Sequence, residues 1–93
     1  GVGGRVAEIV GQLLREIGGR RQVFVITHLA QVAALGHQHL QVAKRIKAGE
    51  TETRIEPLTG SDRVQEIARM IGGVTISPQT LAHAEDMLTR ADS

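Results

Sequence analysis

The sequence predicts an α/β fold: a central apolar strand plus a β-hairpin with flanking helices, forming part of a larger domain. Three observations predict it. Val23-Phe24-Val25-Ile26 is a continuous apolar run with three β-branched residues, which suits a strand buried on both faces. Two alternating segments lie on either side of a turn at Ala48-Gly49-Glu50, the pattern of a hairpin. Residues 5–17, 62–71 and 78–88 carry apolar side chains at helical spacing. A strand buried on both faces needs a parallel neighbour, and the hairpin is the only other sheet material. For that reason the chain reads as a piece of something larger.

The helix over residues 5–17 places Val6, Ile9, Val10, Leu13, Leu14 and Ile17 on one face. Arg5, Glu8, Gln12, Arg15 and Glu16 take the other, solvent face. Gly11 inside it costs about 1 kcal/mol relative to alanine, which close packing against a neighbour would explain. Gly18-Gly19 are expected to stop the helix through a left-handed cap. The apolar run follows and ends at Thr27-His28. Residues 29–35 then read as a short helix closed by Gly36.

Residues 37–46 alternate, with Leu40 and Val42 on one face and His39 and Gln41 on the other. Residues 51–58 alternate again, and Pro57 marks an edge or an end. Ser61 is expected to cap a helix over 62–71, with Asp62 in its first turn and Val64, Ile67, Ala68 and Ile71 inward. Gly72-Gly73 terminate it. Ser77-Pro78 opens the last helix, with Ile76 and Leu81 at hydrophobic-staple spacing. Leu81, Ala84 and Leu88 face inward, and residues 90–93 are expected to fray. No internal repeat, linker or low-complexity segment is present.

The chain has 93 residues, of which 41% are hydrophobic and 1% aromatic, so its core must be built from aliphatic side chains. There is no cysteine, hence no disulfide and no cysteine-based metal site. Net charge is +1, which gives no global attraction to nucleic acid or membrane. No signal-peptide pattern and no membrane-length apolar run occurs, so the default expectation is the cytoplasm and no membrane partner.

His28 is the leading chemical candidate. It follows the apolar run directly, and in open α/β sheets ligands bind beyond the carboxyl ends of strands. An imidazole there can donate to a phosphate oxygen or meet an attacking water. The plainer reading is a histidine that bonds nearby backbone and starts the next helix. His37 and His39 form His-x-His, and with His28 they offer a three-histidine zinc alternative, although no acidic ligand is close in sequence. The expectation is no metal site in this chain, and His83 is expected at the surface. Lys44-Arg45-Ile46-Lys47 is the one basic cluster. It can contact DNA phosphates, or simply solubilise the hairpin and blunt a sheet edge. Missing altogether are a phosphate-cradling Gly-x-x-x-x-Gly-Lys-[Ser/Thr] loop, a strand ending in paired acids, and a nucleophile elbow.

The segment Val25-Ile26-Thr27-His28-Leu29-Ala30-Gln31-Val32-Ala33 resembles one near the carboxyl end of the RecN family of bacterial DNA repair proteins. These are relatives of the SMC proteins with ABC-type ATPase heads. The resemblance continues in order through His37-Gln38-His39, Val42-Ala43-Lys44, Arg63-Val64-Gln65-Glu66-Ile67-Ala68-Arg69-Met70-Ile71-Gly72-Gly73 and Thr80-Leu81-Ala82-His83-Ala84. It implies that residues 1–93 are the carboxyl-terminal lobe of an ABC/SMC-type P-loop NTPase head. In that lobe His28 would be the switch histidine near the γ-phosphate of ATP, with Thr27 beside it as a further nucleotide-binding residue. Gly1, Gly3 and Gly4 would lie in the segment resembling the D-loop, where many relatives carry an acid. Ala30 stands where they carry proline. The resemblance further implies ATP and Mg2+ as cofactors of the whole protein, with none expected for this stretch alone, which lacks the Walker and signature motifs and should be inactive. Implied partners are DNA, the upstream part of the same head, and a second head. The implied setting is double-strand-break repair and recombination in the bacterial nucleoid. An interaction module for protein or DNA, without nucleotide chemistry, is the alternative. Because the apolar run lacks its neighbour, the chain alone is expected to self-associate through that edge or by exchanging its first helix.

Overall fold

The computed structural model describes residues 3–92, and it is an α/β arrangement of four helices and one two-stranded antiparallel hairpin. In chain order the elements are α1 (Gly4–Gly18), α2 (Ala30–Ala33), β1 (His39–Lys47), β2 (Glu50–Leu58), α3 (Gly60–Gly72) and α4 (Pro78–Ala91). The core lies where α2, α3 and α4 meet. Ala30, Ala34, Ile67, Ala68 and Ala84 are buried there, with Val64, Met70, Ile76, Leu81, Met87 and Leu88 packed around them. Small alanines let the helices approach closely, and Ile67, fully buried, is the one large residue at the centre. Ile71, expected inward, is exposed, and Met70 takes its place against the core.

α4 starts as its sequence dictates. The Ser77 hydroxyl accepts the Thr80 N–H at 3.1 Å, Pro78 occupies the first turn, and Ile76 and Leu81 both pack on the core. Its far end is ordered, contrary to the expected fraying of 90–92. Ala91 is buried and Asp92 pairs with Arg15 of α1 at 3.2 Å. Ser93 lies outside the described residues. α3 is capped by Thr59 without a side-chain bond, so Ser61 does not cap it. The chain leaves β2 and turns through Gly60 at φ 54°, which brings the Asp62 N–H to the Thr59 carbonyl at 3.2 Å.

α1 reverses the expected assignment of its faces. The side that meets α2 is the stripe of Ala7, Gly11 and Arg15, spaced one turn apart, whose first two members are small and buried. A Cβ at Gly11 would stand 2.6 Å from Leu35 Cδ1, so this position needs glycine for the approach of α2. Val6, Ile9, Val10, Leu13 and Ile17, expected to be buried, are exposed. The helix also ends without a left-handed cap. Gly19 keeps φ −72°, and the amides of Gly19, Arg20 and Arg21 take up the carbonyls of Arg15, Glu16 and Ile17 in a tightened last turn.

The central strand does not form. Residues 22–27 carry no secondary structure, and β1 pairs only with β2. A strand is defined by its pairing, and among the described residues nothing lies alongside this run to pair with it. Phe24 is 77% exposed and Ile26 103%.

The hairpin begins at His39 rather than His37 and closes through two residues rather than three. Ala48 and Gly49 have φ 54° and 78°, the pair of positive values a type I′ turn requires, and Glu50 already pairs with Lys47. Leu40, Val42 and Ile46 share one face with Ile55, all exposed. No helix among the described residues is long and apolar enough to cross a membrane.

Candidate functional site

The segment carrying His28 forms one wall of an open groove of about 1230 Å³, whose other walls come from α1, α2, the base of the hairpin and α3. Two side chains fix how the chain passes from this segment into α2. The Thr27 hydroxyl, half-buried, accepts the Leu29 N–H at 3.0 Å and turns the backbone into the helix. His28 is exposed at that corner, and among the described residues its ring makes no hydrogen bond.

The other end of α2 is held by two arginines. Arg63 of α3 donates through Nη2 to Gly36 O at 2.7 Å, Ala33 O at 3.2 Å and Ala34 O at 3.5 Å. Arg15 of α1 donates through Nη1 to Leu35 O at 2.7 Å, and its Nη2 reaches Asp92 Oδ1 at 3.2 Å. Four successive carbonyls at the carboxyl end of α2 are thus satisfied by cations, which the helix dipole also favours. Burial lowers the pKa of Arg63, Asp92 opposes that, and the Arg15 charge adds to it. Arg15 was expected on the solvent face of α1. Instead its side chain is 20% exposed and joins three helices.

Beside Arg63 lies a polar cluster between the hairpin and α3. Gln41 Nε2 donates to Glu66 Oε2 at 2.9 Å, and Arg69 Nε donates to the same carboxylate at 3.0 and 3.1 Å, with a further bond from Arg69 Nη2. The bonds to Glu66 raise the pKa of Arg69. His39 Nδ1 and Arg63 Nε are buried without a partner. Burial pushes the His39 pKa down, the Arg63 charge pushes the same way, and Glu66 opposes.

The remaining candidates fall in separate places. Gly1 lies outside the described residues. Gly3 precedes α1 as its N-cap, and a Cβ on Gly4 would stand 3.4 Å from Gln31 Nε2, so the start of α1 meets the helix that follows His28. Lys44, Arg45 and Lys47 sit toward the turn of the hairpin, away from the groove. Lys44 is on one face. Arg45 and Lys47 are on the other, directly across from Glu52 and Glu50. The hairpin therefore presents mixed charge there, and Arg54 adds a pair with Glu56 at 3.8 Å. His28, His37 and His39 all border the groove, but no three metal-ligating side chains come together among the described residues, so the three-histidine arrangement does not form. His37 is exposed beside Gly18, and His83 is exposed on α4.

Arg15, Gln41, Arg63 and Glu66 were not singled out by sequence. A signal existed for two of them. Arg15 follows Ala7 and Gly11 on one stripe of α1, and Arg63 stands one turn before Ile67 on the packed face of α3.

No family model matches the chain. Nearly all of it does match curated proteins named DNA repair protein RecN. That of Vibrio cholerae is 47% identical over 91 residues, covering 98% of this chain and 16% of the relative. That of Bacillus subtilis is 45% identical over 92 residues, covering 99% and 16%. That of Deinococcus radiodurans is 44% identical over 88 residues, covering 95% and 15%. The chain spans about one sixth of the length of the curated relatives it matches. Identity at this level, sustained across almost every residue described above, means that the chain belongs to the RecN family.

Proposed function

We propose that residues 1–93 act as part of the carboxyl-terminal lobe of an ATP-hydrolysing head in a RecN-type DNA repair protein, and that His28 is its switch histidine. The observation that carries this reading is the exposed, unbonded His28 at the corner between an uncovered apolar segment and α2, in a chain of the RecN family. Phe24, Val25 and Ile26 form an apolar surface of the kind a parallel sheet from the rest of a head would cover. With that sheet in place His28 would stand at the carboxyl end of a central strand, where ligands bind. ATP and Mg2+ would be held chiefly by other parts of the head. His28 would donate to a γ-phosphate oxygen and stabilise charge as the phosphoryl group transfers.

The Gly1, Gly3 and Gly4 segment would lie near a second head, and the paired heads would regulate the grip of the protein on DNA during break repair and recombination in the bacterial cytoplasm and nucleoid. The mixed charge of the hairpin favours reading Lys44, Arg45 and Lys47 as a solvated edge over a phosphate-binding patch.

The test is turnover in a full-length RecN protein carrying this sequence. His28→Ala should lower ATP hydrolysis roughly tenfold or more while leaving ATP binding nearly intact, because the contact matters most in the transition state. Unchanged turnover would return His28 to a structural role and favour an interaction module.

A further inference from the structure

We propose that Arg63 is a positioning residue for His28, holding the carboxyl end of α2 so that the corner preceding α2 presents the imidazole in one place. The proposal rests on the reading of His28 given above.

α2 is a single turn of four residues, far too short to be stable by itself. Its position is set from outside, at its ends and along its inner face. At the leading end there is one side-chain bond, from the Leu29 N–H to the Thr27 hydroxyl. At the trailing end Arg63 reaches three carbonyls, those of Ala33, Ala34 and Gly36, and Arg15 takes that of Leu35 between them. The inner face is Ala30 and Ala34, packed with Ile67 and Ala68 of α3. Arg63 and Ile67 are one turn apart on α3, so one helix both packs against α2 and caps it. All three bonds come from Nη2, the far end of the guanidinium, so the reach of the arginine side chain is what brings a donor among these carbonyls.

His28 has no bond of its own among the described residues, so its placement follows from the Thr27 turn and from α2. Arg63 Nε remains buried and unpartnered, so among the described residues the carbonyls of Ala33, Ala34 and Gly36 are the only hydrogen-bond partners of this guanidinium.

The experiment uses a full-length RecN protein carrying this sequence, with His28→Ala, Arg63→Gln, Arg63→Lys and the His28→Ala/Arg63→Gln double variant. Hydrogen exchange of the 29–36 amides reads the positioning directly. Arg63→Gln should speed it roughly tenfold and His28→Ala should leave it unchanged. For turnover, Arg63→Gln should lower kcat several-fold with KM for ATP unaltered, and should add nothing in the His28→Ala background. Arg63→Lys keeps the charge on a side chain of shorter reach, and should keep the fold while losing part of kcat. Should Arg63→Gln fail to fold, Arg63→Lys is measured by the same two readings. Unchanged exchange over 29–36 overturns the proposal, as does a double variant whose two losses multiply, or a lowered Tm with kcat retained. Unchanged turnover in His28→Ala instead overturns the ATP reading, and exchange then decides by itself whether Arg63 holds the segment.

Discussion

Substituting Gly11 tests the close approach of α1 to α2 on which the His28 corner depends. A Cβ there meets Leu35 Cδ1 at 2.6 Å, and Gln31 O and Val32 Cα at 3.5 Å. The first contact is about 1 Å shorter than the preferred carbon–carbon separation. The Leu35 backbone is tied on both sides, its N–H to Val32 O at 3.1 Å and its carbonyl to Arg15 at 2.7 Å, so relief must come from the side chain. Turning Leu35 away from its rotamer costs about 0.5–1.5 kcal/mol. Alanine gains about 1 kcal/mol over glycine in a helix interior. Gly11→Ala should therefore fall within about 1 kcal/mol of the parent. Valine is different, because its methyl groups also press on the Gln31 and Val32 backbone, which cannot rotate away. Overpacking of that kind costs about 1–3 kcal/mol, so Gly11→Val should destabilise by about 2 kcal/mol. Urea unfolding followed by circular dichroism reads the difference. Leu35→Ala alone should cost about 2–5 kcal/mol, but less in the Gly11→Val background, where the valine methyls occupy the vacated space. A Gly11→Val chain as stable as the parent, or a strictly additive double variant, would refute the reasoning.

Two further outcomes follow from other parts of the molecule. Burial first, and then the Arg63 charge, hold the His39 pKa below its ordinary 6.5 against the opposing Glu66. The unfolded chain thus takes up the proton first as pH falls, and the stability present above pH 6.5 should decline below it until the lower folded value is passed. The urea midpoint should drop between about pH 7.5 and 5.5, and the drop should shrink in His39→Gln; an identical drop in that variant would remove His39 as its source. The exposed apolar faces of α1 and of residues 24–26 should make the 93-residue chain self-associate at micromolar concentration, as read by sedimentation. A stable monomer would show that those faces need no partner.

Local chemistry was legible where the signal and the structure share a scale. The Ser77-Pro78 entry to α4, the packing of Ile76 and Leu81 on the core and the alternation around Ala48-Gly49 all appear in the structure, because caps, staples and turns involve residues a few positions apart. The glycine turn even carries a visible cost. Ala48 sits at φ 54°, where a Cβ is disfavoured, and the hairpin tolerates it because the twist of the strands demands a primed turn. The composition of the apolar run at 23–26 predicts a strand, yet strand formation depends on a neighbour that composition does not supply. The faces of α1 differ from the expected ones for a related reason. Periodicity locates the most apolar face of a helix, but α2 meets the face whose residues are small enough to let it approach, Ala7 and Gly11.

The arginine contacts were illegible for a different reason, which also bears on the site. Arg15 and Leu35 are 20 residues apart, Arg63 and Gly36 are 27 apart, and Arg15 and Asp92 are 77 apart. Helical spacing puts Arg15 in line with Gly11 and Arg63 in line with Ile67, but nothing local says which carbonyls either will meet. Their role exists only once α1, α3 and α4 have gathered around α2. The α2 turn is too short to hold itself; local amides meet the carbonyls of Ala30, Val32 and Ala33, and those of Ala34, Leu35 and Gly36 are met by the two arginines from distant elements. The place of His28 is therefore a tertiary property. The local sequence supplies the imidazole and the Thr27 turn, while α1 and α3 decide where that turn points. A change on α3 that leaves residues 27–29 untouched is then able to move the candidate histidine. Since α3 also holds the hairpin through Glu66 and Gln41, load on the hairpin and the placement of His28 converge on one helix.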